Sequence, residues 1–137
     1  MAARPLHLRW SSLALVGAGG TLGTATRAGV GLLVAPVDGF PVATFTVNIV
    51  GALVMGLLVA TLARAVADEE RRQRVRLFAG TGVLGGFTTY SAFATETAVL
   101  LHDGRAGLAL GYAVGSVLLG ALACLAGLLL ATAGERR

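Results

Sequence analysis

Charges are missing from long stretches of this chain, and those stretches restrict its folding more than any single motif. Trp10 to Thr26 contains no Asp, Glu, Lys or Arg, nor does Ala28 to Val37, with Arg27 alone between them. Gly39 to Ala63, Leu77 to Thr95 and Ala106 to Gly134 are equally free of charge. A helix that crosses hydrocarbon needs about 20 mostly apolar residues. The uncharged runs therefore predict four spans, at roughly 11–33, 41–63, 77–100 and 106–132 of the 137 residues, within one domain covering 1–137. Almost nothing is left over for a soluble domain. Only 13% of the residues are charged, against about 25% in an average soluble protein, too few to coat a compact sphere. The expected fold class is an all-α membrane protein of four transmembrane helices. The opening MAARPLHLRW resembles the charged part of a signal peptide, but the apolar run behind it exceeds an ordinary signal core and has no A-x-A exit, so it reads as a retained first helix.

All eleven basic residues are arginine, and the net charge is +4. They cluster beside apolar runs with no aromatic-interleaved basic stripe, which argues for a membrane surface and against nucleic acid. Arg4 and Arg9, then Arg64, Arg71, Arg72, Arg74 and Arg76 in the connector RAVADEERRQRVR, then Arg136 and Arg137, share one side of the predicted bundle, with Arg105 alone on the other. The positive-inside rule then predicts cytoplasmic termini and a single fixed orientation. The lone Cys124, in LACLAG, excludes an internal disulfide and reads as packing.

Polar residues inside the spans require an explanation, because hydrocarbon offers them no water. In GGTLGTATR, Arg27 either snorkels to the interface or faces a bundle interior. In TFTVNIVG, Thr44 and Asn48 lie four residues apart and share a helix face. Asn48 serves there either as glue between helices, with Gly51 allowing close approach, or as a donor to a passing anion. The segment GTGVLGGFTTYSAFATET holds four glycines and six Ser or Thr residues, a composition that suits a broken helix, with Gly85 and Gly86 as the expected point of unwinding. A small-residue packing face is the competing reading. Tyr90 and Phe93 are three residues apart, with Ser91 and Thr95 nearby; their electropositive ring edges suit an anion path that must bind weakly, and a lipid-facing or interfacial position is the competing reading. In the fourth span Tyr112 and Ser116 form an i, i+4 pair with Gly120 beyond them: a hydroxyl ladder, or an interfacial anchor beside a serine bonded to its own helix.

Taken together, GGTLGTATR, TFTVNIVG and GGFTTYSAF, in this order and spacing, resemble the Fluc (CrcB-type) fluoride channel family. The resemblance implies a passive fluoride-specific channel in the cell membrane, built as an antiparallel dimer of four-helix subunits with a broken third helix. It implies two pores along the subunit interface and a structural, untransported sodium ion (Na⁺) at its centre. By motif position, the Gly85 and Thr88 carbonyls would be the sodium ligands. Asn48 with Thr44, the aromatic pair Tyr90 and Phe93, Ser91, and the hydroxyls of Tyr112 and Ser116 would line the pore. Glu96 matches an acidic position just beyond the aromatics. The chain departs from the family pattern at Tyr90, where Phe is usual, and at Ala92, where a hydroxyl residue is usual. An antiparallel homodimer also requires one sequence to insert both ways, which the arginine bias opposes; a fixed-orientation subunit paired with an oppositely oriented homologue is the alternative.

Two other function classes compete. A small four-helix exporter of organic cations needs an intramembrane carboxylate, yet Asp38, Asp103 and Glu135 sit at run boundaries and Glu96 near the end of the third span. An enzyme would need Ser91, His7, His102 or Cys124 to form a constellation, and no base and acid are spaced to orient one. No enzymatic activity is expected. A non-conducting structural subunit of a heterodimeric channel is the remaining alternative.

Overall fold

The computed structural model describes residues 9–65 and 67–133, all helical apart from short connections. Helix α1 (Trp10–Leu33) ends just before Pro36, which has no amide to continue it. The chain reverses through Val37–Phe40, whose backbones exchange hydrogen bonds of 3.2 and 2.8 Å. Both central residues are left-handed, Asp38 at φ 49° and Gly39 at φ 79°, the combination that a two-residue reversal with native twist demands. Arg105 donates to the Asp38 carbonyl and ties this turn to the far connection.

Helix α2 (Val42–Ala65) follows Pro41 and is one of two helices long and apolar enough to cross a membrane; α6 (Ala106–Ala133) is the other. In the most apolar window of α6 only 6% is buried inside the protein, which is not how a soluble protein treats its core helix. Leu118, Leu122, Leu125, Leu129 and Leu130 are all exposed, a continuous apolar surface that water would not tolerate. The other two candidate spans differ from this pattern. α1 has 24 residues, but its threonines and Arg27 dilute its apolar character.

The third candidate span is not one helix. It is entered through α3 (Glu69–Val75), where Asp68 caps the Glu70 amide at 3.0 Å, acids fill the first turn and arginines the last, complementing the helix dipole. Arg72 pairs with Glu69 and Arg74 with Glu70 on its exposed surface. The helix then widens into a nine-residue π-helical segment, Arg76–Leu84, and tightens into one turn, α4 (Gly85–Phe87). Thr88 and Thr89 are extended, with ψ of 158° and 123°, before α5 (Tyr90–His102) begins. The interruption thus falls at the two threonines and not at Gly85 and Gly86, because Gly85 keeps helical angles (φ −64°, ψ −35°). α5 closes with Gly104 at φ 72°, where the Arg105 amide reaches back to the Leu100 carbonyl at 2.9 Å.

Small residues decide how closely these helices approach. α2 packs on α6 through Gly56 and Gly127: a Cβ on Gly56 would strike the Cys124 carbonyl, and one on Gly127 the Leu53 carbonyl. α1 packs on the π-helical segment and α4 in the same way, with Gly19 and Gly23 against Gly82 and Val83, and Gly86 against Gly20. Between lipid-exposed helices apolar burial contributes little, so this backbone-to-backbone packing and the hydrogen bonds across it hold the bundle. The aromatic core lies near one end, where Leu100, Ala109 and Tyr112 are buried beneath Phe40, Phe45, Phe93 and Leu108.

The arginines follow the packing. Arg9 lies beside Glu70 and Arg74 of α3, and Arg64 donates to the Ala131 carbonyl at the end of α6, so these ends gather with Arg71, Arg72 and Arg76. Arg105 sits at the turn end with Asp38. Arg4, Arg136, Arg137, His7 and Glu135 lie outside the described residues.

Candidate functional site

The interrupted helix is held by side chains from two others. Asn48 on α2 faces Thr89 and exchanges two hydrogen bonds with its backbone: Nδ2 donates to the Thr89 carbonyl at 3.0 Å, and the Thr89 amide donates to Oδ1 at 2.8 Å. Of the two readings open for Asn48, the glue between helices is therefore present. Its second amide hydrogen has no acceptor among the described residues. On the α1 side, Arg27 Nε donates to the Gly86 carbonyl at 3.1 Å and Thr24 Oγ1 to the same atom at 3.4 Å. Arg27 is thus half-buried against the bundle, where it caps the end of α4.

Thr89 also caps α5. Its Oγ1 accepts from the Ala92 amide at 3.2 Å and lies 3.2 Å from the hydroxyl of the exposed Ser91. Thr88 folds back the other way, its amide and Oγ1 both reaching the Leu84 carbonyl, at 3.0 and 2.9 Å. Carbonyls nearby lose their helical donors, those of Gly85 and Thr88 among them. In a continuous helix the Thr89 amide would bond the Gly85 carbonyl and the Ala92 amide the Thr88 carbonyl. Here both amides are engaged elsewhere. The expected sodium ligands are thus two neutral hard oxygens released from helical bonding, a donor set suited to a hard cation. Among the described residues no cluster of His, Cys, Asp or Glu offers a competing metal site.

A groove of about 420 Å³ runs alongside the interruption. It gathers Asn48, Gly85, Thr88, Tyr90, Phe93 and Ser116, six of the residues singled out in the sequence, with Thr89 between them. Tyr90 is 80% exposed and projects from the subunit, its ring 6.0 Å from that of Phe93. Ser116 Oγ is buried and has no hydrogen-bond partner among the described residues, so it does not bond back to its own helix. Among the described residues no carboxylate lines this groove.

Thr44 and Tyr112 go to a different place. Tyr112 is wholly buried and therefore is no interfacial anchor; its hydroxyl donates to one oxygen of Glu96 at 2.7 Å. Thr44 Oγ1 donates to the other, also at 2.7 Å. Thr44 and Asn48 do share a face of α2, and both use it to hold the interrupted helix, one at Glu96 and one at Thr89. The Phe93 ring lies 5.2 Å from Tyr112 and separates this carboxylate cluster from the groove. Phe40 and Phe45, which the sequence reading passed over, stand against Tyr112 at 5.5 and 6.5 Å. Thr89 carries a capping signal of its own, a threonine just before a helical stretch. Cys124 is half-buried and free.

Exposed apolar helices packed around an interrupted one define a helical integral membrane protein, with a groove beside the interruption. The profile of the family described as CrcB-like protein, Camphor Resistance (CrcB), matches residues 14–128, and the chain belongs to that family. It is 49% identical over 134 residues to fluoride-specific ion channel FluC 2 of Leifsonia xyli subsp. xyli, covering 97% of this chain and 92% of the relative. It is 44% identical to fluoride-specific ion channel FluC of Novosphingobium aromaticivorans, over 86% of this chain and 94% of that protein. The FluC of Paracoccus denitrificans is 48% identical over 82% of this chain and 88% of its own length.

Proposed function

We propose that this chain is a subunit of a fluoride-specific ion channel that conducts F⁻ passively across the cell membrane and lowers cytoplasmic fluoride. The observation that carries the reading is the groove beside the interrupted helix: the spare Asn48 amide hydrogen, the unpartnered Ser116 hydroxyl and the Tyr90 and Phe93 rings meet there without a carboxylate. A dehydrated anion needs donors in place of water, and a full positive charge would trap it. Amide, hydroxyl and ring edge supply attraction without that charge. Phe93 stands between this groove and the cluster of Thr44, Glu96 and Tyr112, in which Tyr112 holds Glu96, and Ser91 lies in the first turn of α5.

The exposed Tyr90 and the one-sided groove call for a second subunit, which supports an antiparallel dimer of four-span subunits with a pore on each side of the interface. Gly85 and Thr88 of each subunit would hold sodium between them through their carbonyls. These carbonyl dipoles would supply neutral hard oxygens to such a cation, which would help to fasten the interface. The gathering of arginines at one end favours a subunit of fixed orientation, termini in the cytoplasm, whose partner is a homologue inserted the other way. Efflux from liposomes containing the purified chain, read with a fluoride electrode against a chloride control, tests the function. Fast chloride-sparing efflux that Phe93→Ile abolishes is the expected result when the complete dimer is present. Silence both alone and with an opposite-topology homologue overturns the proposal.

A further inference from the structure

The carbonyls near the interruption are not all left open. Leu84's is taken by the Thr88 amide and hydroxyl, and Gly86's by Arg27 and Thr24. Gly86 faces α1, where a Cβ would strike the Gly20 backbone, whereas Gly85 is exposed on the groove side with nothing nearer than 3.9 Å to a Cβ. Gly85 and Thr88 are among the residues whose carbonyls lose their helical donors, and at these two the donor amide is held by an identifiable side-chain oxygen. Asn48 Oδ1 holds the Thr89 amide at 2.8 Å, and Thr89 Oγ1 holds the Ala92 amide at 3.2 Å.

We propose that Asn48 and Thr89 are positioning residues for the cation: by accepting the two amides, they keep the Gly85 and Thr88 carbonyls free to bind it. The inference rests on the reading of those carbonyls as the sodium ligands. It assigns Asn48 a second task, performed by its oxygen, apart from any donation to fluoride by its nitrogen. Without the oxygen, the Thr89 amide is left unpaired in a low-dielectric setting and its nearest remedy is the Gly85 carbonyl, four residues back along the chain. Helix repair and cation binding therefore compete for the same lone pairs.

The test reads sodium rather than fluoride. Thermal unfolding of the detergent-solubilised complex is followed as sodium replaces N-methyl-D-glucamine at constant ionic strength, and the sodium concentration for half-maximal protection is recorded. Thr89→Val keeps the β-branched shape without the hydroxyl, and Thr89→Ser keeps the hydroxyl. Loss of one such hydrogen bond predicts a midpoint raised about tenfold in Thr89→Val, with Thr89→Ser close to the parent and Asn48→Leu losing the response. If Asn48→Leu fails to assemble, the two Thr89 variants decide alone. A parent protected by sodium together with an unchanged midpoint in Thr89→Val overturns the positioning role. A parent indifferent to sodium overturns the cation reading itself, and the two failures are thereby distinct.

Discussion

At the scale of single residues, Glu96 shows how a carboxylate is accommodated inside an apolar bundle. Both of its oxygens accept a hydroxyl, one from α2 and one from α6, so a single side chain joins three helices. Tyr112→Phe removes one of these donors and leaves the ring against Phe40, Phe45 and Phe93. It is expected to lower stability by about 1 kcal/mol, the usual worth of one such bond. The denaturant midpoint of the solubilised protein measures this, and a midpoint equal to the parent's would show that the hydroxyl is idle. The candidate residues themselves were legible in the sequence, because a polar side chain within an uncharged run is conspicuous. Their partners were not. Thr44 is 52 residues from Glu96, and Asn48 is 41 residues from Thr89.

At the scale of helices, contact depends on the absence of side chains. Gly56→Val would force α2 away from the Cys124 carbonyl and the Leu128 amide, breaking the closest approach in the molecule's most apolar pair of helices. Such a variant is expected to express poorly and to elute as aggregate in size-exclusion chromatography. Gly107→Ala, with nothing within 4 Å of the new Cβ, should elute like the parent. Equal behaviour of the two variants would refute the packing argument. The glycine-rich stretch of the third segment admits two readings, a point of unwinding or a small-residue packing face: Gly82 and Gly86 serve as contact surfaces for α1, and the extended residues are threonines. Glycine permits both a bend and a close approach, and sequence alone does not say which is used. The π-helical segment was also invisible, since no residue pattern distinguishes it from an ordinary helix of the same composition.

At the scale of the whole molecule, charge and groove lead to separate consequences. The arginines assembled at one end predict one orientation, so a reporter fused to the carboxyl end should give signal from the cytoplasmic face alone. Equal populations on both faces would show instead that a single sequence supplies both members of an antiparallel pair. The order of uncharged runs, the helical class, the family and the set of polar residues within the bundle were all determined by sequence alone, because hydropathy acts along the chain and needs no partner. Only the tertiary structure decided that Asn48 grips Thr89, that Tyr112 is buried on Glu96 while Ser116 lines the groove, and that Arg27 caps α4. Each of those choices depends on the rotation of one helix relative to another. A helix turns about 100° per residue, while a hydrogen bond accepts only a narrow range of distance and angle, so the pairing is settled where the helices meet.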